Sequence, residues 1–121
     1  MHRTVLHFLD DIEESLDNIL KYTRGMTREE FLANPMARDA VAWNFEVIGE
    51  AVKNLPDDLK ARYPAVEWRK IAGLRDTIVH GYFRIDYEVL WGIIETDIPH
   101  FHNRIREIIE EEELLEPERK A

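Results

Sequence analysis

The 121-residue chain contains no cysteine, which excludes disulfide bonds, thiolate metal sites and cysteine nucleophiles. No apolar run approaches the roughly 20 residues that a helix needs to cross a bilayer. The five glycines form neither a phosphate-binding loop nor a dinucleotide fingerprint. The N-terminal residues lead directly into amphipathic, acidic sequence, unlike a secretory leader. These absences predict a cytoplasmic protein that has no membrane segment and binds no cofactor.

Extended strand patterns are also missing, since apolar and polar residues do not alternate over a long stretch and no Asn-Gly hairpin turn occurs. Apolar residues instead recur every three or four positions, which is typical of amphipathic helices. Long helices are expected over about Arg3–Tyr22, over Met36–Asn54, and from the candidate N-cap Asp86 onward. The chain is therefore predicted to form a single all-α domain over residues 1–121, an up-down bundle of four to five helices.

Several residues mark the ends of these helices. Thr27 and Glu30 form a candidate capping box, and Asn34 is a candidate N-cap with proline at the first helical position. A helix is expected over Glu67–His80, ending at Gly81 because glycine tolerates the backbone of a helix C-cap. Pro99 interrupts the last helical pattern. Proline removes one backbone hydrogen bond, so this helix is expected to be kinked.

The chain carries a net charge of -9, but the charge is unevenly distributed. Residues 60–84 contain six basic and two acidic residues, a local charge of +4, whereas the rest of the chain carries -13. Affinity for nucleic acid depends on lysine and arginine, so this basic segment favours a polyanionic ligand there, and a solvated face with a chance pattern is the alternative. The acidic residues 110–121 are expected to form a frayed tail.

The basic segment contains the sequence Arg75-Asp76-Thr77-Ile78-Val79-His80-Gly81-Tyr82. Arginine is a permanent cation whose planar group matches phosphate oxygens, and histidine exchanges protons near neutral pH. RNA carries its own nucleophile, the 2′-OH. Cleavage then needs a base, an acid and positive charge on the phosphoryl oxygens. This combination predicts phosphate chemistry on RNA rather than on DNA.

The spacing Arg-x4-His-x-Tyr, with these flanking residues, resembles the signature of the HEPN nucleases, most closely the HepT-like toxins. Three other stretches are similar to that family: Ile48-Gly49-Glu50-Ala51, the segment from Trp68 to Asp76, and Asp97-Ile98-Pro99. The resemblance covers most of the chain. It implies a HEPN-type helical bundle that forms a homodimer, with the paired motifs lining a shared groove.

The same resemblance implies a metal-independent endoribonuclease toxin. Arg75 would hold the phosphate and His80 would transfer protons, while Asp76 could orient or charge-balance one of them. Gly81 would permit the helix end to loosen so that both groups reach the substrate. Glu50 is expected to support the site by pairing with an arginine. No metal is expected.

Tyr82 has two possible roles. An aromatic residue just past a helix end usually packs against the bundle. In HepT-like systems, however, a minimal nucleotidyltransferase encoded beside the toxin transfers AMP to the motif tyrosine and silences the nuclease. The alternatives for the whole chain are a non-catalytic HEPN module that binds RNA, a nucleotide or a partner, and an antitoxin to a toxic nucleotidyltransferase.

Two other pairs of residues suggest metal binding only weakly. His100 and His102 lie two positions apart, so on a helix they point to different sides, and they are interpreted as surface residues. Glu46 and Glu50 share a helix face, but the Glu-x2-His sequence that accompanies such carboxylates in helical metal sites is absent. Neither pair predicts a metal centre.

Overall fold

The computed structural model describes the backbone of residues 2–80 and 84–115, and the side chains of these residues except those of residues 2–4, 75, 77 and 80. Within this part of the chain are eight helices and one short two-stranded ribbon. They are α1 (His2–Thr23), α2 (Arg28–Leu32), α3 (Pro35–Asn54), α4 (Asp57–Arg62), α5 (Trp68–Ala72), α6 (Leu74–Ile78), β1 (Val79–His80), β2 (Arg84–Ile85), α7 (Tyr87–Thr96) and α8 (Ile98–Leu114).

The predicted all-α bundle is confirmed. Its frame consists of the four longer helices, α1, α3, α7 and α8, and α1 packs against both α3 and α8. The apolar stripes identified in the sequence meet in one core, because burying these faces removes apolar surface from water. Fully buried members of that core are Leu9, Ile12, Leu16, Val41, Val52, Leu90, Ile105 and Ile108. No described helix is long and apolar enough to span a membrane.

The N-caps predicted at Thr27 and Asn34 are present. The Thr27 hydroxyl accepts a hydrogen bond from the Glu30 N–H at 3.1 Å, and the Glu30 carboxylate accepts one from the Thr27 N–H at 2.8 Å. The Asn34 side chain accepts a hydrogen bond from the Ala37 N–H at 3.0 Å and caps α3. Gly25, after α1, has a φ of 77°, a conformation that favours glycine. Local sequence signals therefore gave the correct start of α2 and α3.

The predicted last helix is divided in two. The kink expected at Pro99 takes the form of a break at Asp97, between α7 and α8. Proline has no N–H to donate to the carbonyl four residues earlier, here that of Glu95, and its ring clashes with that carbonyl. The break therefore lies just before the proline, which occupies the first turn of α8.

The prediction of a frayed acidic tail is wrong for residues 110–114, because α8 continues to Leu114. Glu112 is fully buried. Its carboxylate accepts hydrogen bonds from Arg62 Nη2 at 2.7 Å and from the Tyr63 hydroxyl at 2.6 Å. Glu112 follows Ile105 and Ile108 on the same helical face, so this glutamate points inward although its neighbours in the run are mostly exposed. Residues 116–121 lie outside the described part of the chain.

The single helix predicted over Glu67–His80 is also wrong. Helix α5 ends before Gly73, α6 begins after it, and strand β1 begins at Val79. The Gly73 N–H caps α5 by donating to the carbonyls of Arg69 and Ile71. Ile78 and Val79 are β-branched, which favours extended backbone once a partner strand is available. The helical pattern of this segment thus gives way to pairing with β2.

Candidate active site at the junction of α6 and β1

The sequence motif spans two elements. Arg75 lies in α6 and His80 lies in β1, with Ile78 as the last helical residue. On one continuous helix, residues 75 and 80 would be about 140° apart around the axis, since each residue turns the helix by roughly 100°. That separation does not apply here, because the helix ends between them. The structure therefore places the two positions on different elements, Arg75 on α6 and His80 on β1, with the change from helix to strand between them.

The ribbon holds His80 in a defined register. His80 is paired with Arg84, and Val79 is paired with Ile85, in an antiparallel arrangement. The Asp86 N–H donates a hydrogen bond to the Ile78 carbonyl at 2.5 Å and closes the base of the ribbon. The predicted modification site Tyr82 and the predicted cap Gly81 fall in the segment 81–83, outside the described residues.

Arg84 is a cation at this site that the sequence analysis did not assign. Its side chain is exposed, and it lies opposite His80 in the ribbon. Directly opposite residues share one face of an antiparallel pair. The β-branched residues Ile78 and Val79 are the sequence signal for a strand here, whereas Gly81 is also typical of a helix end and favoured the predicted helix.

Close packing of α3 against α5 supports the candidate site. A Cβ atom added at Gly49 would lie 3.6 Å from the Ala72 carbonyl oxygen, an ordinary van der Waals distance. The backbones of α3 and α5 therefore lie close together, two residues before α6 begins. Ile48 and Ala51 are buried on either side. The stretch Ile48-Gly49-Glu50-Ala51 thus contributes to positioning the helix that carries Arg75.

Among the described side chains, Glu50 does not form the ion pair with an arginine that the sequence predicted. The Glu50 side chain is 72% exposed, and one of its carboxylate oxygens lies 3.9 Å from Lys53 Nζ on the same helix. The expected partner was an arginine, and the ion pair found is with a lysine. Asp76 is exposed on α6, next to Arg75 in sequence. Its position is compatible with charge balance at the site.

The basic segment is partly used for stability. Arg62 is bonded to the buried Glu112 and lies 3.8 Å from Asp58, so its charge is compensated within the fold. Arg69 and Lys70 are exposed on α5, and no ion pair to either is found among the residues that the structure describes. The cations available to a polyanion therefore lie on α5 and on the ribbon.

A cavity of about 300 Å³ lies between α5 and α8, close to these cations. Its lining includes the apolar residues Ile71 and Phe101 and the basic residues Lys70 and Arg104. Arg104 also pairs with Glu107 at 2.9 Å. Within the described side chains, no group of three or more potential metal ligands comes together.

Comparison with known proteins adds a second line of information. The model of the family described as "Ribonuclease HepT-like" matches residues 12–108, a span that includes the α6–β1 junction. A protein of Methanocaldococcus jannaschii named "Putative RNase MJ0127" is 44% identical over 109 residues, covering 90% of each chain. A protein of Thermococcus cleftensis named "Probable ribonuclease HepT" is 37% identical over 108 residues, covering 89% of this chain and 98% of that protein.

A further relative comes from the bacterium Caldanaerobacter subterraneus. It is named "Putative RNase TTE0752" and is 33% identical over 110 residues, covering 91% of this chain and 98% of its own length. No solved structure matches the chain significantly. The similarity in sequence therefore extends over nearly the whole of several RNase-named proteins.

Proposed function

Since the chain belongs to the HepT-like ribonuclease family, we propose that it is a metal-independent endoribonuclease toxin that cleaves RNA with Arg75 and His80. The observation that carries this proposal is the family match over residues 12–108, which spans the Arg-x4-His motif. The structure contributes the exposed Arg84 opposite His80, which adds positive charge beside the proposed proton-transfer group. These charges suit a phosphodiester substrate.

The proposed reaction needs no added cofactor. His80 removes the proton of the 2′-OH, the 2′-oxygen attacks phosphorus, and the bond from phosphorus to the 5′-oxygen breaks. The leaving 5′-oxygen takes up a proton from the protonated His80 of a second copy of the chain, and the other fragment ends in a 2′,3′-cyclic phosphate. Arg75 stabilises the charge that develops on the phosphoryl oxygens in the transition state.

Cleavage by the purified protein is therefore expected to continue in the presence of EDTA and to produce 2′,3′-cyclic phosphate ends. The measurement is gel analysis of a labelled single-stranded RNA, with mass spectrometry of the fragments. A matched RNA whose 2′-OH groups are replaced by 2′-O-methyl groups should stay intact. Loss of activity on chelation, or ends without the cyclic phosphate, would contradict the proposed mechanism.

A homodimer is part of the proposal, because one histidine does not easily act as both base and acid in one step. A two-fold interface would place two copies of His80 and Arg75 along one RNA strand. Ile71 on α5 and Ile85 on β2 support this arrangement, since both are only half-buried and leave apolar surface that a second copy could cover.

Light scattering is expected to give the mass of a dimer at micromolar concentration, about twice the 14.4 kDa of one chain. Replacing Ile85 with glutamate should shift the protein toward the monomer, because a buried charge destabilises an apolar contact. The exposed Val89→Glu change on α7 is the control for added charge. A stable monomer in the unchanged protein would contradict the proposed interface.

We propose further that a cognate minimal nucleotidyltransferase silences the protein by transferring AMP to Tyr82. The phenolate oxygen would attack the α-phosphorus of ATP and release pyrophosphate, leaving a phosphodiester-linked AMP. This adds a negative charge and an adenine two residues from His80. Both would occupy the place of the RNA phosphate.

Incubation with that partner, ATP and Mg²⁺ is expected to add one or more AMP masses to the intact protein and to stop RNA cleavage. Tyr82→Phe should remain unmodified, whereas Tyr87→Phe, the control, should be modified like the unchanged protein. Peptide mapping identifies the residue. AMP found on Tyr87, or no AMP with an active partner, would show that Tyr82 is not the regulated residue.

The net charge of -9 supports a second candidate, a HEPN module that binds a partner without cutting RNA. Expression of the chain alone distinguishes the nuclease toxin from such a module and from a third candidate, an antitoxin to a toxic nucleotidyltransferase. Growth arrest with RNA degradation is expected of the nuclease toxin. Unaffected growth, together with arrest when the nucleotidyltransferase is expressed alone, would identify this chain as the antitoxin.

A further inference from the structure

Trp43 is an unusually exposed aromatic residue on α3. Its side chain is 68% exposed, whereas Trp68 and Trp91 are 7% and 6% exposed in the core. Met36, two turns earlier on α3, is 83% exposed. Tryptophan is a large apolar residue that proteins usually bury, and exposed tryptophans are enriched where partners bind. Trp43 therefore needs an explanation other than packing of this bundle.

Two grooves meet at Trp43, one on each side, between α1 and α3. Their volumes are about 500 Å³ and about 310 Å³. Asp11, Trp43 and Val47 line both grooves, so the grooves form one continuous surface, here called the Trp43 surface. Tyr22 lies in the larger groove and Phe8 in the smaller one. The surface thus offers apolar contacts from side chains of both α1 and α3.

The charged residues that line the Trp43 surface are all acidic. Asp11 and Glu14 line the larger groove, and Asp11, Glu46 and Glu50 line the smaller one. Two basic side chains outside the lining contact it: Lys53 Nζ is 3.9 Å from a Glu50 carboxylate oxygen, and His7 Nε2 is 3.5 Å from an Asp11 carboxylate oxygen. The surface therefore combines an exposed indole with a negative rim.

Charge determines which occupant suits this surface. RNA is a polyanion and would be repelled by the carboxylates. A second copy of the chain, related by a two-fold axis, would place the same acidic residues opposite each other. A cationic segment suits both the acidic rim and the exposed indole, because arginine and lysine pair with carboxylates and also stack on the face of tryptophan.

We propose that the Trp43 surface is a docking site for a protein partner, which it recognises through an arginine- or lysine-bearing amphipathic segment. The surface includes no residue of α5, α6 or the ribbon. It is thus separate from the proposed RNA site, and the proposal does not depend on the nuclease activity. The negative charge of the chain outside residues 60–84 serves this contact, while the positive segment serves the substrate.

The probe is a synthetic 18-residue amphipathic helix with leucines on one face and arginines on the other, and the control peptide carries glutamate in place of each arginine. Because Trp43 is the exposed tryptophan, its fluorescence should shift to the blue and become shielded from iodide when the arginine peptide binds. The glutamate peptide should cause neither change. The Trp43→Ala variant, followed by anisotropy of a labelled peptide, should bind at least about tenfold more weakly, as expected of a central aromatic contact.

A charge-matched pair of variants separates this surface from the net charge of the protein. Glu14→Gln with Glu50→Gln removes two carboxylates from the surface, and Glu95→Gln with Glu110→Gln removes two exposed carboxylates elsewhere. The first pair should weaken peptide binding several-fold and reduce its dependence on salt. The second pair should have a smaller effect on the affinity and on the salt dependence. Circular dichroism checks that each variant is folded.

Several outcomes would overturn the proposal. They are absence of arginine-peptide binding, equal binding by Trp43→Ala, and equal weakening by the two glutamate pairs. A halved mass of Trp43→Ala in light scattering would identify the surface as an interface between copies. Shielding of Trp43 from iodide by RNA would identify the Trp43 surface as part of the substrate groove. RNA cleavage by Trp43→Ala is expected to equal that of the unchanged protein.

Discussion

Replacing His80 with alanine is expected to lower the rate of RNA cleavage at least ~100-fold, since a group that transfers a proton in the transition state contributes about that much or more. Arg75→Ala is expected to cause a comparable loss, because it removes positive charge from the phosphoryl oxygens. Both changes should also abolish toxicity on expression. The measurement is the single-turnover rate of cleavage of a labelled RNA.

Two further variants test whether these losses are specific. His7→Ala removes an exposed histidine of α1, and Arg106→Ala removes an exposed arginine of α8; both should cleave RNA at the unchanged rate. Thermal denaturation should show that His80→Ala and Arg75→Ala remain folded. Cleavage by His80→Ala at the rate of the unchanged protein would remove histidine from the mechanism.

The pairing of Arg84 with His80 in the ribbon leads to a more specific prediction for Arg75→Ala. Arg84 lies opposite His80 and is exposed, so the proposed site contains a second cation besides Arg75. Some binding of RNA should therefore persist in Arg75→Ala while the rate of cleavage falls. This outcome would place Arg75 in transition-state stabilisation and Arg84 in binding, because loss of a purely ground-state contact affects binding and not the chemical step.

The second large effect is expected on stability, at the contact between Arg62 and Glu112. Arg62→Ala should lower the free energy of unfolding by about 3 kcal/mol, because it removes a hydrogen-bonded cation from a buried carboxylate. This value is at the lower end of the usual range, since the Arg62 side chain is 41% exposed and water can partly replace it. Urea denaturation followed by circular dichroism measures the change.

Asp58→Ala provides the matched control, because Asp58 pairs with the same arginine at 3.8 Å but is 80% exposed. Exposed ion pairs contribute about 0–1 kcal/mol, so this variant should lose much less stability than Arg62→Ala. Equal losses in the two variants would show that the burial of Glu112 does not determine the energy of this contact.

Tyr63 adds a dependence on pH. Burial and the hydrogen bond to Glu112 raise the pKa of the Tyr63 hydroxyl above its ordinary value of 10.0. A raised pKa means that the fold favours the neutral phenol, so this contribution is fully present below about pH 10 and is lost as the pH rises above that value. The stability difference between the unchanged protein and Tyr63→Phe should therefore be constant from pH 7 to 9 and decrease at higher pH.

Much of the fold followed from the sequence by itself. The starts of α2 and α3 were predicted because the capping residues Thr27 and Asn34 bond to backbone N–H groups three residues away. The core was predicted because helical periodicity places apolar residues on one face. The motif around Arg75 and His80 was also visible, since it is contiguous in the chain. These signals are local, so neighbouring residues are sufficient to determine them.

Other features depended on contacts between distant parts of the chain. Glu112 looked like one residue of a solvated acidic run, but it is bonded to Arg62, 50 positions earlier. Glu50 was expected near an arginine and instead lines the Trp43 surface. The helix predicted to reach His80 ends at Ile78 because β2 offers backbone partners.

The physical reason is the same in each case. Helix propensity differs by less than about 1 kcal/mol between ordinary residues, so hydrogen bonds and burial provided by a distant segment readily change the outcome. The sequence by itself therefore determined the helical class, the helix caps and the family of this protein. The tertiary structure decided which strand pairs with His80, which glutamate is buried, and where the exposed Trp43 lies among acidic residues.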